Sequence, residues 1–562
     1  MAGAVSQQAV PRAAWCVIVA CSAAVFFANL RFGPSALWIV SSDDFFYYAQ
    51  VARNLAMHGL SSFDGIHLTN GYHPLWLLTL ALATKLFAIG GWLDASTDLP
   101  LAAAFDAILF ALAMTIAYFV YRLLRQHCGT LASCSIQMLA TLYVLLLLRS
   151  GMEVGLVLAT LFALLYFRLR SGFCWSAHQC FFYGLIAATV TLSRLDSLLL
   201  VALLFVFDLL PNAARLGSAR RCTLWFSVGM TPVALYLLSN LFLFHTLLPI
   251  SGAAKQLRWH PYLPSLAALR SLLPFLTWQT FFLFGLCLLL VIAALARIAF
   301  GRQRIPRDCS SFFCILLLFP FLHLYAVTSL SDWGVWPWYL YPWLPAAVLA
   351  ATLLFANRKD PAAEQLDKNR PINTGQRPLA QMDRYLAALA CFFASGFYLI
   401  FWSYILVNSG APLNNPMVAT AVELRQFAHT HPGIYAMGDR AGAVGYLAPM
   451  PVIQLEGLMM DKPFLDNIRH QRDLQDVLHD YGVRYYIATF RSETLHSADL
   501  SQSEINHLGI SSDGCYHAKE PAQAGPDSPA MRTHLCQSPV AVFHHGDYVN
   551  DLFDMQPDPS QH

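Results

Sequence analysis

Long apolar stretches separated by short polar segments dominate the first 407 residues of this 562-residue chain. A helix that crosses a lipid bilayer needs about 20 consecutive apolar residues. No small-residue cleavage site follows the first stretch, so we expect it to stay in the protein as an anchor. The pattern predicts about a dozen membrane-spanning helices, some of them short or merged, at residues 15–30, 75–92, 99–120, 131–148, 154–167, 181–192, 198–210, 224–244, 281–299, 312–330, 338–355 and 386–407.

The pattern changes after residue 407, where shorter apolar runs alternate with helix-like stretches. This alternation is typical of a small α/β domain. The last stretch, which carries Pro521, Pro526, Pro529, Pro557 and Pro559 among polar residues, is expected to be loop-like or disordered. The predicted strands are residues 433–437, 451–455 and 483–489, and the predicted helices are residues 422–429 and 464–479.

The composition agrees with this division of the chain. Hydrophobic residues make up 57% of the sequence and charged residues 12%, whereas soluble domains carry roughly 25% charged residues. We therefore predict a polytopic α-helical membrane domain of about 11–13 transmembrane helices at residues 1–407, with its first extracytoplasmic loop at residues 32–74. Residues 408–562 are predicted to form a soluble extracytoplasmic α/β domain.

The orientation is predicted from Lys and Arg residues, which favour cytoplasmic loops. Basic clusters at residues 168–170, 215–221, 297–307 and 358–384 are expected to be cytoplasmic. The first loop and the C-terminal domain then lie outside, and the domain's acidic character fits that side. Arg122 and Arg125 do not follow the pattern when helices are counted from the first loop.

The cysteines predict one disulfide. Of the thirteen in the chain, only Cys515 and Cys536 fall in the predicted soluble domain. No CxxC pair or Cys/His cluster with zinc-ligand spacing is present, which disfavours a structural zinc site. A bond between Cys515 and Cys536 is the better interpretation.

The candidate chemistry begins in the loop after the first span, with Ser41, Ser42, Asp43 and Asp44. Ser41 with Asp44 three residues later matches a helix N-cap signature, and acidic residues are favourable in a first helical turn. We predict a short helix at the membrane surface. Successive helical residues point about 100° apart, so Asp43 and Asp44 cannot meet one ligand in the same way. One could act as a base while the other binds a metal or a cap, and the plainest alternative is that both are cap residues.

The loop continues through Ser-Phe-Asp-Gly at residues 62–65 and Thr-Asn-Gly-Tyr-His-Pro-Leu-Trp at residues 69–76. Here the sequence resembles the GT-C superfamily of polyprenyl-phosphate-dependent glycosyltransferases, which includes protein O-mannosyltransferases and the lipid A aminoarabinose transferase. The Lys-Pro-Pro motif of those two subgroups is replaced by Tyr-His-Pro at residues 72–74, so the acceptor type is not inherited from either. Supporting similarity lies at residues 151–153, 193–196, 249–255 and 336–342.

The resemblance implies a GT-C-like fold in the bacterial inner membrane. It also implies a glycosyl transfer reaction. A sugar, hexosyl or pentosyl, would pass from a polyprenyl-phosphate carrier to a glycan, lipid or protein acceptor outside the cytoplasm, with Asp43 and Asp44 as the catalytic residues. The glycines of residues 438–445 have neither dinucleotide nor P-loop spacing and are interpreted as a strand-to-helix turn. No nucleotide cofactor is therefore expected. Membrane lipids are expected around the protein, and no nucleic-acid partner is expected.

The departing lipid phosphate needs positive charge, for which Lys255, Arg258 and Arg194 are the candidates. Lys255 and Arg258 could instead only snorkel to the interface, and Arg194 could form a structural ion pair with Asp196. A divalent metal such as Mg²⁺ or Mn²⁺, bound through Asp44, could share the role. Candidate substrate-binding residues are Asn70, Tyr72, His73, Glu153 and Tyr339.

Two other classes of function are compatible with many spans. A transporter or flippase of lipid-linked intermediates would more typically show internal repeats and broken midplane helices, and no repeat is visible here. It would also have no need for an acidic pair in an outer loop. A non-catalytic scaffold would leave Asp43, Asp44 and Lys255 without a shared purpose.

Overall fold

Helices form most of the chain in the computed structural model. Several begin with residues suited to helix starts. Pro74 opens its helix, where its missing N–H costs nothing, and Ser176 forms a capping box with Gln179. The structure describes residues 2–27, 30, 42–92, 99–170, 176–215, 217–257, 272, 278–300, 307–331, 333–355, 385, 389–390, 392–393, 396, 416–491, 515–522, 528–545 and 548–556.

The helices of the first part of the chain are numbered in chain order. They are α1 (Ala2–Phe27), α2 (Asp43–His58), α3 (Pro74–Ile89), α4 (Leu99–Arg125), α5 (Thr130–Leu148), α6 (Val154–Arg170), α7 (Ala177–Ser193), α8 (Leu198–Leu204), α9 (Leu210–Arg215), α10 (Ala219–Gly229), α11 (Thr231–Phe244), α12 (Ile250–Ala254), α13 (Trp278–Ala299), α14 (Arg307–Leu330) and α15 (Trp343–Leu354). A 3₁₀ turn at Leu195–Ser197 precedes α8, a π-helical turn at Phe205–Leu209 joins α8 to α9, and a 3₁₀ turn at Pro337–Leu340 precedes α15.

The protein is a polytopic α-helical membrane protein. Among the described residues, six helical segments are long and apolar enough to cross a bilayer, and a seventh is obtained when α10 and α11, bent by 50°, are counted as one span. The other predicted stretches form shorter helices, such as α3 with 16 residues and α15 with 12. A 16-residue helix is about 24 Å long, less than the roughly 30 Å hydrocarbon core. The predicted span at residues 386–407 lies mostly outside the described residues.

Close packing around glycines joins α7 to α10. A Cβ atom on Gly184 would lie 2.3 Å from the carbonyl oxygen of Phe226, and one on Gly229 would lie 2.4 Å from that of Phe181. The two backbones can approach so closely only because these positions lack side chains. Small residues serve this purpose between membrane helices generally.

The C-terminal part folds as the predicted α/β unit. Its helices are α16 (Pro416–Thr430), α17 (Ala441–Leu447), α18 (Lys462–Arg469) and α19 (Leu474–Asp480). Its strands are β1 (Ile434–Met437), β2 (Val452–Gln454), β3 (Val483–Arg491), β4 (Tyr516–Glu520), β5 (Met531–Leu535), β6 (Ala541–His545) and β7 (Tyr548–Asp554). The main sheet has the order β2-β1-β3-β7-β6, in which β1 runs parallel to β2 and β3, and β7 runs antiparallel to β3 and β6.

Two details of the predicted domain are corrected. The single helix expected at residues 464–479 is two helices, α18 and α19, because Asp473 caps a new start by accepting from the backbone N–H groups of Gln475 and Asp476. The stretch from Pro521 onwards is not simply loop-like, since β5, β6 and β7 lie within it. In β5 buried and exposed positions alternate, which is the pattern of a half-buried strand. The predicted disulfide between Cys515 and Cys536 is confirmed, beside the β4–β5 hairpin.

Candidate active site

The first turn of α2 carries both acidic residues of the pair. The N-cap is Ser42 and not the predicted Ser41, which lies outside the described residues. The Ser42 hydroxyl makes no cap bond; it donates to the carbonyl oxygen of Ser150 at 3.0 Å, and the Ser42 backbone N–H donates to the same oxygen at 3.1 Å. The start of α2 is therefore held by the turn between α5 and α6. Its acidic residues remain available for other contacts.

Asp43 binds the C-terminal domain. Its carboxylate accepts hydrogen bonds from the backbone N–H groups of Gly442 and Ala443, at 3.1 and 2.9 Å, in the first turn of α17. Free N–H groups and the helix dipole both favour a negative group at this place. A Cβ on Gly442 would lie 2.3 Å from the Asp43 carbonyl oxygen, so the close approach requires glycine. Asp43 therefore acts as a helix cap, but for α17 of the C-terminal domain and not for its own helix.

The segment that receives Asp43 is the glycine-rich stretch at residues 438–445. The prediction of a strand-to-helix turn is confirmed, because β1 ends at Met437 and α17 begins at Ala441. Arg440 takes a left-handed conformation with φ of 68° in the turn. A Cβ on Gly445 would lie 2.3 Å from the Phe63 ring. Both glycines of the helix therefore face the first loop, which sequence reasoning alone did not reveal.

Asp44 faces a cavity of about 60 Å³ between the membrane helices and the C-terminal domain. Of the residues predicted as catalytic, phosphate-binding or substrate-binding, six line this cavity. They are Asp44, His73, Glu153, Arg194, Lys255 and Tyr339. Other residues of its wall are Tyr47, Tyr48, Gly71, Met152, Ser251, Trp338, Leu458 and Met459.

The remaining predicted residues have different positions. Asn70 donates to the Thr246 hydroxyl and accepts from the backbone N–H of Ile250, both at 3.0 Å, so it holds the start of α12. The Tyr72 hydroxyl lies 2.6 Å from that of Ser61 within the first loop. Neither side chain lines the cavity. Arg258 lies outside the described residues.

Arg194 is the centre of a buried ion cluster. Its guanidinium donates to Glu153 at 2.5 Å and to Asp196 at 2.9 Å. Asp196 also bonds His323 at 3.0 Å, and the Arg194 guanidinium lies 4.5 Å from the centre of the Tyr339 ring. Two carboxylates therefore balance the one guanidinium, which favours the structural ion pair as its main role. The second oxygen of Glu153, Oε2, is buried without a hydrogen-bond partner within the described part of the chain.

Lys255 brings a positive charge that no carboxylate of the described residues neutralises directly. Its ammonium donates a long hydrogen bond of 3.5 Å to the Tyr339 hydroxyl and lies 5.8 Å from the Trp333 ring centre. Among the described residues it forms no ion pair within 4.0 Å. Burial lowers its pKa, but Tyr339 and Asp44 outweigh this effect, so the pKa of Lys255 is raised. The lysine is charged at neutral pH.

The acidic residues of α2 titrate above the usual range for aspartate. Burial raises the pKa of Asp44 to about 6, while Lys255 acts in the opposite direction and Glu153 adds to the rise. Burial also raises the pKa of Asp43 to about 7, opposed by its bond from Ala443. A carboxylate with a pKa near 6 is ionised at pH 7 and is a stronger base than an ordinary aspartate.

His73 is held as a neutral ring beside these groups. Burial lowers its pKa. The backbone N–H of Leu195 donates to its Nδ1 at 3.3 Å, so Nδ1 carries no proton and Nε2 does. The Nε2 atom lies 3.7 Å from the Glu153 carboxylate. His73 therefore joins the loop before α3 to the Arg194 cluster.

The side chains around Asp44 do not form a ready metal site. No group of three His, Cys, Asp or Glu residues suited to hold a metal occurs within the described ranges. The nearest acidic partner in the cavity, Glu153, already bonds Arg194, and the Lys255 ammonium faces the same space. These side chains therefore do not fit a divalent metal at Asp44.

A segment of the C-terminal domain closes the cavity. Leu458 and Met459 belong to its wall, and a Cβ on Gly71 would lie 1.8 Å from the Leu458 carbonyl oxygen. The backbone of the first loop thus lies directly against this segment. No sequence signal pointed to residues 458–459, because they reach the site only through folding. Trp338 and Asp196, by contrast, stood in motifs that the sequence already marked.

The helical arrangement matches a glycosyltransferase of known structure. A crystal structure of ArnT from Cupriavidus metallidurans in the apo state aligns with a TM-score of 0.50 over 86% of this chain and 94% of ArnT, at 16% sequence identity. ArnT is a lipid A aminoarabinose transferase and a GT-C enzyme. The chain shares the fold of this enzyme. The predicted resemblance is confirmed for the fold.

Two other structures align with this chain at lower TM-scores. ArnT from Cupriavidus metallidurans bound to undecaprenyl phosphate gives a TM-score of 0.49 at 15% identity, over 85% of this chain and 93% of ArnT. An Archaeoglobus fulgidus oligosaccharyltransferase, tethered by a disulfide bond to an acceptor peptide containing the NVT sequon, gives 0.46 at 13% identity, over 93% of this chain and 76% of that one. No protein-family model and no curated protein matches the sequence.

Proposed function

We propose that this protein is a glycosyltransferase that moves a sugar, a hexose or a pentose, from a polyprenyl-phosphate carrier to a glycan, lipid or protein acceptor. The observation that carries the proposal is one cavity, in a GT-C fold, lined by the Asp44 carboxylate and by a Lys255 ammonium that has no carboxylate partner among the described residues. ArnT is known with undecaprenyl phosphate bound, and this is the carrier chemistry that we propose to test.

Asp44 is the general base of the proposed reaction. It takes the proton of an acceptor hydroxyl while the oxygen of that hydroxyl forms a bond to the anomeric carbon of the sugar. Its raised pKa suits this task, because the carboxylate is ionised at pH 7 yet accepts a proton more readily than an exposed aspartate would. Asp43 is not the base in this proposal, since its carboxylate is held by the first turn of α17.

Lys255 stabilises the leaving group. The bond between the anomeric carbon and the phosphate oxygen breaks, and negative charge grows on the lipid phosphate. A fixed cation favours this transition state over the ground state. Arg194 keeps Lys255 and Glu153 in place through Tyr339 and its own ion pairs. The free oxygen of Glu153 is suited to accept a hydrogen bond from a hydroxyl of the sugar.

We further propose that residues 32–74 and 408–562 lie on the outer face of a bacterial inner membrane. The direct bonds between Asp43 and α17 support one shared side for the two segments. The cavity of about 60 Å³ has room for a few water molecules only. Binding of a sugar therefore requires the cavity to widen.

The test is transfer by the full-length protein in detergent solution. Undecaprenyl-phosphate-linked sugars extracted from the native cells are the donors, cell-envelope fractions are the acceptors, and mass spectrometry follows the sugar. Wild-type protein should convert donor to free undecaprenyl phosphate and glycosylated acceptor, and Asp44→Asn should not. A flippase needs two sides of a membrane and would transfer nothing in detergent. Absence of transfer with every extracted donor, from protein shown to be folded, would overturn the proposal.

A further inference from the structure

Two buried cysteines meet between α7 and α10, away from the cavity. The Sγ atom of Cys180 lies 2.6 Å from that of Cys222. This separation is between the roughly 2.05 Å of a disulfide bond and the roughly 3.5–4.0 Å of ordinary non-bonded contacts. The exposed fractions of the two residues are 0% and 1%.

The helix packing explains why the sulfurs are so close. Each cysteine is the fourth residue of its helix, and the helices are brought together by Gly184 and Gly229. The close approach of the two helix backbones therefore brings the two cysteines near each other. The buried Cys287, by contrast, has no such sulfur contact within the part of the chain that the structure describes.

We infer that Cys180 and Cys222 form a redox-sensitive dithiol that oxidises to a disulfide joining α7 to α10. The basic residues Arg220 and Arg221 beside Cys222 predict that this end of the helices faces the cytoplasm. Cytoplasmic disulfides are usually transient and redox-sensing. This pair would thus differ in kind from Cys515–Cys536.

The chemistry is balanced with a peroxide as the oxidant. Hydrogen peroxide converts one thiol to a sulfenic acid and releases one water. The second thiol condenses with the sulfenic acid, which forms the S–S bond and releases a second water. The two thiols have then lost two electrons and two protons in all, and the peroxide has been reduced to two waters. A small-molecule thiol reverses the bond by exchange.

A bond between Cys180 and Cys222 would affect helices that lead to the cavity. Arg194 follows the last residue of α7, about 21 Å along the helix from Cys180 at 1.5 Å per residue. The bent pair of α10 and α11 leads to α12, after which Lys255 follows. A bond at the far ends of α7 and α10 would therefore restrict the two elements that carry cationic residues to the cavity.

The test uses the full chain in native membranes, in a Cys174→Ser background so that the tryptic peptide of residues 171–194 holds Cys180 alone. Membranes are treated with hydrogen peroxide, with copper phenanthroline or with dithiothreitol, quenched in acid, denatured and alkylated. Both oxidants should yield the peptide 171–194 joined to the peptide 222–255, with most of both thiols lost together, and dithiothreitol should restore them. Cys287 should stay alkylatable and serves as the buried control.

The single variants complete the test. In Cys180→Ser, Cys222 should remain a free thiol after oxidation, and the reverse should hold in Cys222→Ser. The inference is overturned if neither oxidant joins the two peptides, if either cysteine joins a third, or if Cys287 is lost to the same extent. None of these outcomes depends on a glycosyltransferase assay, so the proposed function can fail or stand separately.

Discussion

Two adjacent carboxylates have different surroundings, and this difference decides what each can do. Because neighbouring residues of a helix point about 100° apart, Asp43 reaches the N–H groups of α17 while Asp44 reaches the cavity. The first contact joins two parts of the chain. The second leaves a basic carboxylate beside Lys255. Substitutions at these residues should therefore separate docking from chemistry.

Asp44→Asn should lower transfer by roughly 10²–10⁴-fold, the usual range for loss of a general base, with little change in thermal stability. The amide keeps the size of the side chain but cannot take the proton. Asp43→Asn is the neighbouring comparison and should lower transfer less, while reducing the thermal midpoint. Turnover and thermal unfolding are measured on the same preparations. Full activity in Asp44→Asn would place the base elsewhere.

Lys255→Met should reduce kcat more than it raises KM for the donor, because charge grows on the phosphate as the bond breaks. The methionine keeps much of the stem and removes the ammonium. Lys462→Met, at an exposed lysine in the first turn of α18, is the matched control and should behave as wild type. Equal and small effects at the two lysines would mean that Lys255 only snorkels.

The pH dependence should follow the ionisation of Asp44. Its pKa is raised to about 6, and only the deprotonated carboxylate can act as a base. The value of kcat/KM should therefore rise with pH through about 6 and level off above 7, whereas an ordinary aspartate would place the midpoint near 4. A profile that stays flat down to pH 5 would contradict this role.

At the scale of elements, α2 and α17 form the joint between the first loop and the C-terminal domain. Asp43 accepts from the first turn of α17, Arg53 donates to the carbonyl oxygen of Tyr446 at 2.9 Å, and the Arg53 guanidinium lies 3.8 Å from the centre of the Tyr446 ring. Gly442 allows the two backbones to touch. Asp44 is adjacent to Asp43 in the sequence, so its position depends on the contact between α2 and α17.

Gly442→Ala should disrupt the joint, because its new methyl group would lie 2.3 Å from the Asp43 carbonyl oxygen and backbone atoms yield little. We expect a loss of stability of about 1–3 kcal/mol, faster proteolysis of the C-terminal domain and reduced transfer. The control is Gly252→Ala in α12, where the added methyl group would meet no other atom within 4 Å. If Gly442→Ala were cleaved at the same rate as the wild-type protein, the close contact between α2 and α17 would not be needed for stability.

At the scale of the whole molecule, membrane helices and a small mixed sheet enclose one site between them. The charge pattern predicts which side of the membrane holds this site. The exposed residues Val540, in the C-terminal domain, and Phe300, at the end of α13, should then lie on opposite faces.

This orientation is tested by cysteine labelling in intact cells. Val540→Cys should react with a membrane-impermeant maleimide, and Phe300→Cys should react only after the membrane is opened, each measured on its own peptide. The reverse pattern would place the C-terminal domain in the cytoplasm and would invert the proposed topology.

Several features followed from the sequence because they depend on local composition or spacing. The long apolar stretches predicted a helical membrane protein, the short apolar runs after residue 407 predicted β1, β2 and β3, and the two cysteines of the tail predicted their bond. The acidic pair in the first loop was recognisable as the start of a helix. Hydrophobic patterning, helix propensity and cysteine content can be read from short stretches of sequence, so these features did not depend on the tertiary structure.

The roles within the acidic pair were decided only by the tertiary structure. Asp43 and Gly442 are 399 residues apart, and nothing local shows that a helix N-terminus of the second domain will accept one carboxylate and leave the other to the cavity. The same holds for Arg194, whose charge is balanced by Glu153, 41 residues away in the chain, and for Leu458 beside Gly71. Long-range packing sets which groups lose water and which charges meet, and these two quantities determine whether an aspartate is a base or a tether.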